Sequence, residues 1–303
     1  MDWTERVRGL RQWTQRGERA PHKPLLMLYA LGRYQRDVAA SLRFSDVEDD
    51  LRRLLAHYGP DRRTSAAYPF HHLVSDGVWE VWTDNGSGSP GTGVRELRAR
   101  GAAGQLAPDL RAALAADPPL LGQLAHVLLD QHFPPSLHDD IAAAAGLDLT
   151  AADLAAPTPR LPAQRSAEMR ERVLVAYEYR CAFCGFDGTL NLVPVGLEAA
   201  HVRWRAYEGP DALSNGLCLC SLHHKLFDKG VLGLAGGGNA PLRIMVSQRF
   251  VGRGPAATGQ VLDLAGRPVI GPQPGSDPVA EEHVVWHTSE VFKGDPRLAA
   301  DPA

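Results

Sequence analysis

Cys181-Ala182-Phe183-Cys184, Glu198-Ala199-Ala200-His201 and Cys220-Ser221-Leu222-His223-His224-Lys225-Leu226-Phe227-Asp228 lie within about fifty residues of one another, and Asn215 stands between the last two. Cys181-x2-Cys184 and Cys220-x2-His223 are two knuckles of soft ligands. A closed set of three thiolates and one imidazole, with no redox task, suits tetrahedral zinc, and zinc can hold a small loop-rich unit together. Cys218, between Leu217 and Leu219, reads as a buried strand residue. An all-cysteine set using Cys218 in place of His223 stays open. Once the knuckles are assigned, His201, Asn215 and His224 remain, spaced fourteen and nine residues apart.

Those three supply a base, an orienting amide and a metal ligand, which is what metal-assisted phosphodiester cleavage requires. The segment resembles the HNH (ββα-metal) nucleases. The resemblance implies that His201 ends a strand and activates water as general base, with Asn215 pinning the loop that follows. It also implies that His224, on a helix, binds a divalent ion. Asp228, four residues on and therefore on the same helical face, can complete that metal site. The implied ion is Mg2+ or Mn2+, which would stabilise charge on the scissile phosphate and the leaving 3′-oxygen. Many family members place Asp or His directly before the base, where this chain has Ala200. Glu198 is instead assigned to orient the imidazole or an arginine. Neighbouring helical residues diverge by about 100°, so His223 can face zinc while His224 faces the catalytic side. Arg203 and Arg205 read equally well as phosphate grips or as solvated strand-end charges. His283 and His287 flank Val284-Val285-Trp286, which favours a strand, and both are expected to be structural.

A chain of 303 residues can hold two domains, each with its own core. Composition is that of a soluble protein, 44% hydrophobic and 22% charged, with mean hydropathy −0.21. No stretch approaches the roughly 18 apolar residues of a membrane helix, so no membrane partner is expected. The opening residues Met1 to Arg8 are charged and lack an apolar core, so a signal peptide is not expected. Four cysteines, three of them in knuckles, argue against a secreted disulfide scaffold, and the cytoplasm is the expected compartment. Net charge is −3, unevenly spread: residues 1–63 carry 13 Lys/Arg against 9 Asp/Glu, and residues 64–160 carry 5 against 11. The basic first part fits phosphate contact or a solvated helical face.

Apolar residues at Trp3, Val7, Leu10 and Trp13 predict a helix over 2–17. Pro24 opens a second helix through Leu31, at a first-turn position proline tolerates. Ser45-x2-Glu48 predicts a capping box for a third, with Val47, Leu51, Leu54, Leu55 and Tyr58 inward. Asp76-Gly77, between Leu73-Val74 and Val78 to Trp82, predicts a β-hairpin. Residues 106–148 read as helical, broken at Pro118-Pro119 and Pro134-Pro135, and residues 164–179 form a helix into the first knuckle. Leu242 to Val246, Val261-Leu262 and Val284 to Trp286 suggest short strands. The expected class is α+β. A mostly helical domain with a β-hairpin spans 1–150, a Pro/Ala-rich linker 151–163, and a zinc-stabilised ββα-metal domain 164–303.

Pro21-His22-Lys23-Pro24-Leu25-Leu26 and Tyr68-Pro69-Phe70-His71-His72-Leu73, followed by Asp76-Gly77-x-Trp79, resemble a sulfur-binding domain found before HNH nucleases. The likeness spans about residues 1–150. It implies recognition of phosphorothioate DNA, in which sulfur replaces a non-bridging phosphate oxygen. Sulfur is larger, more polarizable and less hydrated than oxygen, so an apolar notch can prefer it. Tyr68 and Pro69 are the implied notch, with His22 and Lys23 holding the flanking phosphate charge. The family's small residue four after that tyrosine is here His72, whose role stays open. Arg95 is the implied groove-reading arginine. The reading is thus a modification-dependent restriction endonuclease acting on double-stranded, phosphorothioate-modified DNA. Two rivals stand beside it. One is an HNH enzyme reading methylated or hydroxymethylated cytosine, which would need a flipped-base aromatic pocket. The other is a zinc-stabilised DNA-binding module without catalysis. One centre per chain is consistent with a homodimer cutting both strands and equally with a nicking monomer.

Overall fold

The computed structural model describes residues 2–11, 18–62, 64–151, 163–238 and 240–297. The chain forms two compact units, Met1–Pro159 and Arg160–Ala303. The linker expected over 151–163 falls almost wholly outside the described residues. Among the described residues no single helix is long and apolar enough to cross a membrane.

The first unit opens with α1 (Trp3–Arg8), capped by Asp2, whose carboxylate accepts from the amides of Thr4 and Glu5. This helix stops at Gly9, well short of the expected residue 17, and Trp13 lies outside the described residues. Helix α2 (His22–Arg36) carries the predicted apolar run, with Leu25 to Leu31 all buried. It packs against the later helices of the unit and forms the centre of its core. Strand β1 (Leu42–Arg43) leads directly into α3 (Phe44–Tyr58). The expected capping box does not form. Ser45 lies inside α3, and Glu48 is drawn away to Arg98 and Arg52. The helix starts two residues early, with Arg43 at the N-cap and Phe44 buried where β1 ends.

The expected hairpin at Asp76-Gly77 is also absent. Helix α4 (Ala67–His72) runs into a 3₁₀ turn over Leu73–Asp76, and Gly77 closes it in the left-handed region at φ 70°. Glycine adopts that conformation without a Cβ clash. The strand that follows, β2 (Trp79–Thr83), takes two other neighbours: β3 (Gly86–Ser87) and, past α5 (Val94–Ala99), β4 (Ala103–Leu106). The sheet is antiparallel in the order β1-β4-β2-β3, with Trp79 opposite Leu106 and Leu42 opposite Gly104. Trp79 lies across Gly104 so closely that a Cβ there would sit 2.4 Å from the indole. Helices α6 (Pro108–Ala116), α7 (Pro119–His132) and α8 (His138–Ala145) complete the unit, broken at the two proline pairs as expected.

In the second unit α9 (Ala163–Ala176) delivers the chain to Cys181. A small hairpin, β5 (Thr189–Leu190) with β6 (Val193–Pro194), follows the first knuckle. Next come β7 (Leu197–His201), β8 (Gly216–Cys220) and α10 (Ser221–Asp228). The strands pair antiparallel from Leu197 with Cys220 to His201 with Gly216. Leu197, Ala200, Leu217, Leu219 and Phe227 bury one side of this ββα unit against Val173, Leu174 and Tyr177. Beyond it lie the hairpin of β9 (Leu232–Gly237) and β10 (Ala240–Val246), α11 (Pro255–Gln260) and α12 (Glu281–Glu290). The strand expected at Leu242 to Val246 is present. Val261-Leu262 instead enters a 3₁₀ turn, and Val284 to Trp286 lies within α12. Helix α12 buries Val284, Trp286, His283 and His287 together, and the His287 ring stacks on Phe227 at 3.7 Å.

Candidate functional site

The two knuckles meet. The ligand atoms of Cys181, Cys184, Cys220 and His223 all lie within 4.8 Å of one another, so these four could hold a metal ion. His223 Nδ1 is 3.4 Å from Cys181 Sγ and 3.2 Å from Cys220 Sγ. Its Nε2 meets the Gln260 carbonyl at 2.8 Å, which leaves Nδ1 as the ligating nitrogen. Burial opposes a charge on this imidazole, but the two sulfurs and the carbonyl outweigh it and raise its pKa to about 10. The Cys181 thiol is pushed far down by hydrogen bonds from Cys184 and Cys220. Three sulfurs and one imidazole nitrogen thus converge where a cation would be favoured. Cys218 stays in β8, fully buried, outside this group, and burial pushes its thiol up to about 12.

On the other face of α10, His224 is bracketed by carboxylates. Its Nδ1 lies 2.6 Å from Glu198 Oε2 and its Nε2 lies 3.2 Å from Asp228 Oδ2. Asp228 is buried and its other oxygen accepts from the Trp204 indole at 3.1 Å. Burial works against a charged His224, yet Asp228 and Glu198 raise it to about 10. Glu198 is in turn lowered, first by its bond to His224, and it also accepts from Ser221 Oγ at 2.6 Å. The expectation that Glu198 orients the His201 imidazole or an arginine is corrected: its carboxylate is taken up by His224 and Ser221.

His201 ends β7 and meets Asp211, with Nε2 2.8 Å from Oδ1. Asn215 is fully buried and its side chain closes the loop between them. Its Oδ1 accepts from the Arg203 amide at 2.8 Å, and its Nδ2 donates to the carbonyls of Arg203 and Pro210, each at 3.0 Å. Arg203 is turned inward on the Tyr207 carbonyl at 2.7 Å.

In the first unit Tyr68 is 51% exposed on α4, and its ring packs on His72 at 4.3 Å between centroids. His72 is lowered, chiefly by burial, with His71 and Lys23 adding to it. Pro69, the other half of the expected notch, is buried in α4. His22 and Lys23, expected to hold the flanking phosphate charge, are both half-buried. Burial lowers His22 to about 4, so it is neutral, and its Nε2 is enclosed. Lys23 Nζ is held 2.5 Å from Asp76 Oδ2, where neither side chain is well exposed. Arg11, which reaches the same Asp76 at 3.8 Å, is 79% exposed and keeps its charge toward solvent. Arg95 is exposed on α5.

Comparison with known families matches residues 1–150 to the ScoMcrA-like DNA sulfur-binding domain and residues 181–235 to the HNH endonuclease family. The chain joins a DNA sulfur-binding domain to an HNH endonuclease domain. It is an endonuclease with its own reader. Among solved structures, the sulfur-binding domain of ScoMcrA complexed with phosphorothioated DNA is 23% identical, with TM-score 0.40, covering 49% of this chain and 99% of that one. The type IV phosphorothioation-dependent restriction endonuclease ScoMcrA is 22% identical, with TM-score 0.36, covering 47% of this chain and 28% of that one. The modification-dependent TagI restriction endonuclease is 27% identical, with TM-score 0.30, covering 47% and 42%. No curated protein sequence matches the chain.

The four knuckle ligands read from the sequence meet, and His201, Asn215, His224 and Asp228 all lie in the second unit. Sequence reading missed Asp211, Ser221 and Arg11. Asp211 carried a signal, as the carboxylate in the loop that Asn215 was expected to pin, but only the folded loop brings it back to His201.

Proposed function

We propose that this protein binds phosphorothioate-modified double-stranded DNA through its first unit and hydrolyses phosphodiester bonds nearby with the second. The observation that carries this is one chain bearing both a sulfur-binding domain and an HNH domain whose ββα unit carries His201 and His224. The compartment is the cytoplasm.

Zinc is the ion that three cysteines and a histidine fit best, and its role there is structural. A second divalent ion, Mg2+ or Mn2+, suits the hard oxygens beside His224. Asp228 Oδ2 and His224 Nε2 are the donors that would hold it, because Glu198 occupies Nδ1 and fixes the ring. Bound there, it supplies charge neutralisation at the scissile phosphate. His201 accepts the proton of the attacking water as the new P–O bond forms. The P–O3′ bond breaks, and the 3′-oxygen leaves with a proton from solvent. Asn215 keeps the loop after His201 closed. Tyr68, backed by His72, presents the polarizable surface for sulfur, while Arg11 and Arg95 meet phosphate and groove.

Matched duplexes with and without one phosphorothioate, incubated with Mn2+, test this directly. Selective cutting of the modified duplex is expected, and cutting should be lost in His201→Ala while binding persists. Equal affinity for both duplexes would end the sulfur reading in favour of a modified base. Sedimentation of the DNA complex distinguishes a homodimer from a nicking monomer.

A further inference from the structure

We infer that Asp211 is a positioning residue for His201: it holds the imidazole as the Nε2–H tautomer and so makes Nδ1 the atom that takes the proton from water. This rests on the reading of His201 as general base. A carboxylate only accepts hydrogen bonds, so the ring nitrogen facing Asp211 Oδ1 at 2.8 Å must carry the hydrogen. The lone pair is then left on Nδ1. When Nδ1 gains a proton the ring becomes an imidazolium, and the adjacent carboxylate stabilises it without itself being protonated. The proton later leaves to solvent, so the dyad returns unchanged.

Placement of Asp211 is built into the fold. His201 ends a strand, and its backbone is registered opposite Gly216. The chain then loops out and returns at Asn215, whose side chain grips the carbonyl of Pro210, the residue directly before Asp211. The same side chain holds both the amide and the carbonyl of Arg203, two residues past His201. Asn215 therefore ties the two limbs that carry His201 and Asp211, so the pair needs no search to meet. Both side chains are partly open, 25% and 29% exposed, as a base that must reach water requires. Glu198, the other carboxylate near by, is committed to His224 and Ser221.

The test is Asp211→Ala in the full chain, with cleavage of a phosphorothioate-modified duplex in Mn2+ and ¹⁵N NMR of histidine-labelled protein. The expected result is a fall in kcat of about 100-fold with KM changed by less than about threefold. The His201 Nε2–H signal should give way to a tautomer mixture. A kcat within about threefold of wild type, or a fall in kcat with the tautomer unchanged, overturns the proposal. If the alanine variant does not fold, Asp211→Asn is read by the same two measurements with the same decision. His201→Ala run alongside separates the failures. If it still cuts, the general-base reading itself is wrong; if it is inactive while Asp211→Ala cuts normally, only the role of Asp211 falls.

Discussion

His132 in the first unit and His224 in the second are both withdrawn from solvent, yet their protons are held in opposite ways. Burial in an apolar surround lowers His132 to about 4, and Arg19 adds to the effect. His224 suffers the same burial, but carboxylates on both ring nitrogens raise it to about 10. His22 follows His132, and His223, among sulfurs, follows His224. Neighbours, not depth, decide the charge of a buried imidazole. In the first unit two buried imidazoles are held neutral. In the second, sulfurs and carboxylates hold two of them charged.

The largest effect that would break this contrast is loss of metal from the knuckles. Cys181→Ala should release zinc and destabilise the second unit by about 5 kcal/mol or more, because metal binding there is folding free energy. The first unit should melt unchanged. Calorimetry with zinc analysis reads both, and full zinc retention with an unaltered second transition would remove the assignment.

Acid should act on the other unit. The unfolded chain binds protons at His22 and His132 near pH 6.5, whereas the folded unit resists until about pH 4. Stability from these two groups is therefore complete above the unfolded pKa and is lost as pH falls from about 6.5 toward 4. For the well-buried His132 the loss is about 3 kcal/mol. Denaturant melts across that window should show the first unit weakening, and His132→Gln should flatten the slope. A slope unchanged in that variant would sink the explanation.

Glu198→Gln sharpens the comparison within the second unit. It keeps a hydrogen-bond acceptor at His224 Nδ1 but removes the charge that orients the ring. Mn2+ affinity should weaken about 10–100-fold while zinc content stays constant. Titration calorimetry on the zinc-loaded protein measures this, and an unchanged Mn2+ affinity would mean that Glu198 serves only Ser221.

The smallest effects belong to the reading surface. Tyr68→Ala should reduce the preference for phosphorothioate over phosphate by roughly fivefold, corresponding to about 1 kcal/mol of lost contact. Arg11→Ala should weaken both duplexes alike and lower the salt slope by about one phosphate contact. Lys23→Ala should instead lower stability, since it strands the buried Asp76 carboxylate. If Lys23→Ala changed only DNA affinity, the internal ion pair would be the wrong account of this residue.

Features set by short spacing were legible. Cys-x2-Cys and Cys-x2-His each rely on a local turn, and the structure brings the two pairs together. The proline breaks at 118–119 and 134–135 were legible because a missing amide and a fixed φ act within one turn. Features decided by distant partners were not. Asp76-Gly77 has hairpin chemistry, but Trp79 pairs with Leu106, and Gly77 instead closes a helical turn. Val284 to Trp286 has strand composition, but one face of it must cover Phe227 and β9, so it winds as a helix. Ser45 and Glu48 have capping-box spacing, but Arg98 draws Glu48 away.

By itself, then, the sequence determined the Cys/His ligand set and the order of the two units, because these follow from side-chain chemistry and near-neighbour spacing. Only the tertiary structure decided which carboxylate serves which histidine. Glu198, nearest in sequence to His201, goes to His224, and Asp211, across a loop closed by Asn215, goes to His201. The reason is geometric. Asn215 ties the loop that returns Asp211 to His201, and a hydrogen bond forms only where folding brings donor and acceptor within about 3 Å.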